Sequence, residues 1–384
     1  MFLYPIANIP RQLRGVILTL LLSGSSLVCT SSNALTQGQI DQISKFLEEF
    51  YIAEELVGLQ ADIYSNNGIA ASMSLGYADL EHGVSVSSDT RFEVASINKV
   101  FTALGLLMLE EAGGIDLDVA IQSYVSDFPE KPEGVITARQ LAGILGGIRH
   151  YEEGERTAEY YSTHYSDVDD ALSLFRDDPL VSVPGEREAY SSYGYVLLAA
   201  AMQAATGVKF EDHIRQTILE PLNLDNTGFI DIRIPMQNRS RLYSYIDPYT
   251  RELMDELHVL PSMEHSAITG GGNMYSTAEN LATFGSEFIH SEFLSERIYR
   301  QMYQPHYTSS GTPTRFSDGW LIIDITETEK MLIGGGSYPG VTAMLIVNPA
   351  KDAVVSLLTN TWGKQGNTVL DQLVGGVAGI LYSE

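Results

Sequence analysis

The chain has 384 residues, 44% of them hydrophobic, and a mean hydropathy of −0.01, which fits a soluble globular protein with a full core. Its 49 acidic and 23 basic residues give a net charge of −26 at pH 7, a surface that repels nucleic acid and anionic membrane. One cysteine, Cys29, rules out a disulfide framework.

The first 34 residues read as an export signal. Arg11 and Arg14 form the positive region, residues 16–22 the apolar run, and Ser32-Asn33-Ala34 a small-x-small cleavage site. The apolar run is short for a bilayer span, so an uncleaved anchor ranks second. Val28 stands where a small residue precedes a lipidated cysteine, which argues against a lipoprotein. Cleavage after about Ala34 leaves 350 residues and no cysteine. Because the leader holds two basic and no acidic residues, the mature charge becomes −28. The expected destination is periplasmic or secreted, with no stable membrane span after processing.

Beyond the leader, Ile40, Ile43, Phe46, Leu47 and Phe50 predict a helix over 37–56 with one apolar face. Strand-like runs at 59–64 and 69–77 flank Asn66-Asn67-Gly68, a hairpin signal. The stretch 92–114 is the most informative. Ile97, Val100, Phe101, Leu104, Leu107 and Met108 follow helical spacing, Ala103, Leu106 and Leu109 fill the other faces, and Gly113-Gly114 stops the run. Between Ser96 and Leu109 the only charge is Lys99. A buried ammonium is costly unless it is paired or deprotonated. Ser96 lies about one helical turn before it, the arrangement that activates a serine nucleophile. A serine cap followed by a lysine that snorkels to the surface fits the same four residues.

From 115 to 306 the pattern is mostly helical and loop-like, with helices predicted at 170–176, 192–205 and 274–290. The last begins at Ser276-Thr277-Ala278-Glu279, which resembles a capping box. Tyr190, Tyr193 and Tyr195 cluster at the entry to the second. A tyrosine near a lysine can act as a base, but spacing alone does not choose among the three. Strands return at 319–325, 331–333, 341–347 and 354–358, and a helix at 368–382 closes the chain. Gly334-Gly335-Gly336 and Ser337 sit between two of these strands, as a flexible turn or a place of close approach. The expected fold is α/β (α+β). An antiparallel sheet is built from both termini (35–114 and 307–384) and flanked by helices, and 115–306 forms an inserted, mostly helical subdomain.

Three segments together, Ser96-Ile97-Asn98-Lys99, Tyr190-Ser191-Ser192 and Gly334-Gly335-Gly336, resemble the serine beta-lactamase and penicillin-binding protein superfamily, in its class C-like, esterase-like branch. The similarity runs from about residue 40 to the C-terminus. It takes in Leu-Gly-Gly-Ile-Arg-His-Tyr (145–151), Asp-Pro-Leu-Val-Ser-Val-Pro-Gly (178–185), Gly270-Gly271-Gly272, Val-Asn-Pro-Ala-Lys (347–351) and Leu-Thr-Asn (358–360). The resemblance implies that Ser96 is the nucleophile, Lys99 its activator and Tyr190 the base and later acid. It also implies an oxyanion hole from the backbone N–H groups of Ser96 and Ser337, and a substrate-binding strand at Gly334, Gly335 and Gly336.

This sequence departs from the family pattern at three places. Ser192 stands where the second motif usually ends in Asn, and Gly334 where the strand motif begins with Lys or His. Ile144 replaces the frequent histidine before the Ser-Gly of the loop after the nucleophile helix. The basic residue lost at Gly334 anchors the carboxylate of penicillins and D-Ala-D-Ala peptides in the family. Arg149, His150 or Arg315 are the expected substitutes. The expected function is therefore an exported serine hydrolase acting by acyl transfer on an ester, amide or peptide bond of a small molecule or peptide. A beta-lactamase or D-Ala-D-Ala carboxypeptidase, or a non-catalytic binding protein on the same fold, are the alternatives. No cofactor is expected, and the eight histidines show no metal-ligand spacing.

Overall fold

The computed structural model describes residues 34–155, 157–326, 328–364 and 368–383. The segment read as an export signal therefore lies outside the described residues, apart from Ala34 at its end.

Helix α1 (Gln37–Ala53) opens on a capping box between Thr36 and Gln39 and buries Ile40, Ile43, Leu47 and Phe50. Strands β1 (Gly58–Ser65) and β2 (Gly68–Asp79) form a hairpin whose Asn66 and Asn67 take φ values of 54° and 61°, a turn that asparagine tolerates. After β3 (Val84–Ser85) and β4 (Phe92–Glu93) comes α2 (Asn98–Glu111). The middle of the chain holds α3 (Ala138–Ala142), α4 (Val168–Ala171), α5 (Ser192–Thr206) and α6 (Phe210–Ile214). Strands β5 (Gly228–Phe229), β6 (Tyr243–Ile246), β7 (Leu253–Val259) and β8 (Met274–Ser276) follow, then α7 (Ala278–Ser286) and α8 (Glu296–Met302). The chain ends with β9 (Leu321–Asp324), β10 (Lys330–Tyr338), β11 (Val341–Asn348), β12 (Ala353–Thr359), β13 (Thr361–Trp362) and α9 (Thr368–Leu381).

Seven strands make one antiparallel sheet in the order β3-β2-β1-β12-β11-β10-β9, so N-terminal and C-terminal strands meet at β1 and β12. Its central strands are covered on both faces. Along β11, Ala343, Leu345 and Val347 join the core shared with α2, α5 and α7, while Met344 and Ile346 face α1 and α9. Each of the larger of these side chains, fully buried, contributes about 1.5–3 kcal/mol.

Three stretches depart from expectation. The 115–306 region carries β5 to β8, because Tyr243–Ile246 pairs with β13 and β7, and Met274–Ser276 with β4 and β5. The helix expected at 274–290 accordingly starts only after Thr277, whose hydroxyl caps the Asn280 N–H. Finally, the glycine run is no turn. It continues β10 in register with β11, Gly334 opposite Leu345 and Gly336 opposite Ala343, and the reversal falls at Pro339-Gly340 with Gly340 at φ 83°. Among the described residues no helix is long and apolar enough to cross a membrane.

Candidate active site

Ser96 stands on a sharp corner between β4 and α2, in a turn of 3-10 helix (Ala95–Ile97). Ala95 takes φ 48°, a left-handed conformation that costs an alanine roughly 1–3 kcal/mol and persists only where its surroundings enforce it. Two features do so. Gly336 lets β10 press against the corner: a Cβ there would lie 2.1 Å from the Val94 carbonyl oxygen and 3.0 Å from the Ser96 nitrogen. Below, the buried Glu93 carboxylate lies 2.8 Å from Arg239 Nη2 and 3.2 Å from His265 Nε2, and it accepts a hydrogen bond from the Tyr338 hydroxyl. Burial alone would raise Glu93, but His265, Arg239 and Tyr338 hold it down at about 2.

Lys99, on the first turn of α2, is buried at 2% exposure. Its Nζ lies 3.0 Å from Ser96 Oγ, 3.0 Å from Ser192 Oγ and 2.6 Å from the Gly271 carbonyl oxygen. The rings of Tyr190 and Tyr195 lie 5.0 and 5.6 Å away. No carboxylate pairs with it among the described residues. Burial therefore pushes the ammonium down to about 7, so a large fraction is neutral amine near neutral pH. The 270–272 glycines bring the Gly271 carbonyl here: a Cβ on Gly271 would meet the Ser192 carbonyl oxygen at 2.9 Å, and one on Gly270 the Ala199 methyl at 2.8 Å.

The entry to α5 supplies the third side. Ser191 caps the helix through the Gly194 N–H and donates to the Arg149 carbonyl, and the Ser192 N–H donates to His150 Nδ1 at 3.1 Å. The Tyr190 hydroxyl donates to Ser96 Oγ at 2.8 Å. The other two tyrosines are core residues: Tyr193 stacks on Phe175 at 4.7 Å, and the Tyr195 hydroxyl donates to the Ala142 carbonyl. Geometry thus separates three residues that spacing left equivalent. Burial pushes Tyr190 up to about 12 although the hydroxyls of Ser96 and Ser192 pull it down, so a resting phenolate is disfavoured. Burial thus moves the two groups in opposite directions, Lys99 toward the neutral amine and Tyr190 toward the neutral phenol.

These side chains open into a cleft also lined by Ile144, His150, Gly335, Ser337 and Tyr338. β9 pairs with β10 only up to Ile333, so 334–338 is a free edge beside Ser96. Gly334 faces away from the cleft. A Cβ there would meet the Trp320 ring at 3.3 Å, and that buried indole fills the space a longer side chain would need. Of the expected substitute cations, Arg149 is not at the cleft, because Glu155, Asp178 and the Leu174 carbonyl hold its guanidinium. Arg315 lines the cleft but pairs with Glu188 at 3.0 Å. Ile144, at φ 61°, presents an apolar wall. Sequence reasoning missed the Gly271 carbonyl, the Glu93 cluster and the cleft-lining Arg251. A carbonyl leaves no side-chain signature, and the others lie outside the three motifs. Among the described residues no group of three or more His, Cys, Asp or Glu side chains is gathered as a metal site.

The beta-lactamase family model matches residues 43–378. Penicillin-binding protein 4* of Bacillus subtilis is 26% identical over 283 residues, covering 71% of this chain and 61% of its own length. The human mitochondrial serine beta-lactamase-like protein LACTB is 30% identical over 284 residues, 57% of this chain and 51% of its own. The chain thus spans only between 51% and 61% of these curated relatives. Among solved structures, a D-amino acid amidase from Ochrobactrum anthropi superposes with a TM-score of 0.75 at 20% identity, over 89% of this chain and 98% of that one. The octameric penicillin-binding protein homologue from Pyrococcus abyssi gives 0.74 at 22% identity, over 88% and 77%. At these identities the structural likeness is one of fold.

Proposed function

The chain belongs to the beta-lactamase family, and from that premise we propose that it is a serine hydrolase cleaving an ester, amide or peptide bond through an acyl-enzyme on Ser96. The observation that carries this reading is the position of Ser96 Oγ, 3.0 Å from Lys99 Nζ and 2.8 Å from the Tyr190 hydroxyl. A neutral Lys99 has two N–H groups and one lone pair. The N–H groups serve the Gly271 carbonyl and Ser192 Oγ, which leaves the lone pair for the Ser96 proton. Ser96 Oγ then bonds to the substrate carbonyl carbon while Lys99 takes its proton. The Ser96 and Ser337 N–H groups receive the oxyanion. Tyr190 protonates the leaving group, and Lys99 restores its proton through Ser192, whose hydroxyl interacts with Tyr190. Water, deprotonated by the same groups, releases the acid.

Gly334 sets the preference among substrates. Compounds held through a carboxylate at that position lose a charge-assisted hydrogen bond, worth roughly 1.5–3 kcal/mol. Esters, amides and peptides that do not need it are favoured over penicillins and D-Ala-D-Ala peptides. The leader makes an exported location part of this reading. Purified protein assayed with p-nitrophenyl butyrate and with nitrocefin should give the higher kcat/KM on the ester. Faster turnover of nitrocefin would overturn the preference.

A further inference from the structure

Arg251 lies in the turn between β6 and β7, at φ 64°, and its side chain reaches the cleft that holds Ser96 and Lys99. Its Cζ sits 5.1 Å from the centroid of the Trp362 ring, which lines the same wall. Nη1 and Nη2 of Arg251 are buried and hydrogen-bond to none of the described residues, and neither does the buried Nε1 of Trp362. Three buried donors on two neighbouring cleft-lining side chains are therefore without an acceptor among the described residues. A charged donor that has lost its hydration and gained no partner is costly, so such a cluster marks a place for an anion.

The surrounding chemistry sharpens this. The chain has 49 acidic residues for 23 basic ones, and the other arginines close to the site are taken: Arg149 by Glu155 and Asp178, Arg239 by Glu93, Arg315 by Glu188. Arg251 has no such carboxylate among the described residues. Asp371, the acid that lines the cleft, does not pair with it, and burial raises its carboxyl above the usual range, which weakens its competition with an incoming anion.

We propose that Arg251, backed by Trp362, is the receptor for a carboxylate carried by the substrate. A guanidinium fork matches two carboxylate oxygens, and the indole N–H adds a third donor. Around it Tyr338, Leu370 and Val374 make the wall apolar, so the ligand class is a carboxylate on an apolar body, such as an N-acyl amino acid or a peptide end. This cation comes from the β6–β7 turn rather than from β10, where Trp320 fills the space beside Gly334. The cleft therefore receives a carboxylate placed differently from one that needs a cation on β10.

The proposal rests on the cleft being the substrate site of a serine hydrolase, and its test is made independent of turnover by using Ser96→Ala protein. Titration calorimetry with N-acetylphenylalanine and with N-acetylphenylalaninamide, in both enantiomers, compares one body with and without the charge. The acid of at least one enantiomer should bind about tenfold tighter than its amide or more, as expected for a charge-assisted hydrogen bond. The acid-to-amide ratio should fall to near one on adding Arg251→Ala and be partly kept on adding Arg251→Lys. Equal affinities in the parent, absent binding of the acid, or a preference that survives Arg251→Ala overturns the proposal. A failure of Ser96 to act as nucleophile would leave these affinities intact, so the two readings fail separately.

Discussion

In the proposed mechanism Lys99 is the residue on which the chemistry turns, because the environment sets its proton affinity and that of Tyr190 in opposite directions. Desolvation penalises whichever form carries charge, lowering Lys99 to about 7 and raising Tyr190 to about 12. A general base works best with a pKa near the working pH, which Lys99 meets and Tyr190 does not. The sign follows directly. Below pH 7 Lys99 is protonated and cannot accept the Ser96 proton, so kcat/KM should fall tenfold per pH unit on the acid side and level off above. A pH–rate profile on a neutral ester should show a single ionisation near 7, and Lys99→Ala should lose roughly 10²–10⁴-fold in rate. A rise continuing to pH 11 would instead assign the base to the Tyr190 phenolate. Lys99 stood out in the sequence because a lone charge in an apolar helix is a conspicuous anomaly. The direction of the tyrosine shift did not, because it depends on how deeply the phenol is enclosed, and spacing does not report enclosure.

Strand β10 shows what element-level reading can and cannot reach. Its glycines look alike in sequence but serve unlike purposes. A Cβ on Gly336 would strike the Val94 carbonyl oxygen at 2.1 Å, whereas one on Gly335 would meet only the end of the Leu370 side chain at 2.6 Å. Gly336→Ala must therefore shift the strained Ala95-Ser96 corner, while Gly335→Ala asks only for a rotamer change. Measured on the same ester, Gly336→Ala should lose at least tenfold more activity than Gly335→Ala. Equal losses would mean that the corner does not depend on this close approach. Hydrophobic patterning located β1, β2, β11, β12 and both terminal helices, since the helices bury one apolar face and β1, β11 and β12 are nearly continuous buried runs. It overlooked β8 and the hairpin of β6 and β7, whose short strands are defined by partners distant in the chain rather than by their own pattern.

At the scale of the whole molecule, the cleft is a joint between two parts of one fold. Ser96 and Lys99 come from the corner after β4, Tyr190 and Ser192 from the entry to α5, Gly271 from the loop before β8, and Ser337 from the sheet. Their side chains meet because β1 and β12 close the sheet from both ends of the chain, placing β10 against the corner. The three motifs singled out in the sequence are among these contributors, and the structure brings Ser96, Lys99 and Tyr190 within hydrogen-bond reach. The far wall with Arg251 and Trp362 was not foreseeable, because its meaning lies in missing partners, which only coordinates reveal. On the proposed reading, activity is a property of the intact fold, centred on one serine hydroxyl beside one buried amine. The most direct measurement is mass spectrometry of native protein after exposure to a fluorophosphonate probe. We expect a single adduct on the peptide containing Ser96, absent in Ser96→Ala and strongly slowed in Lys99→Ala. Labelling at another residue, or labelling of Ser96 that proceeds equally fast without Lys99, would contradict the account.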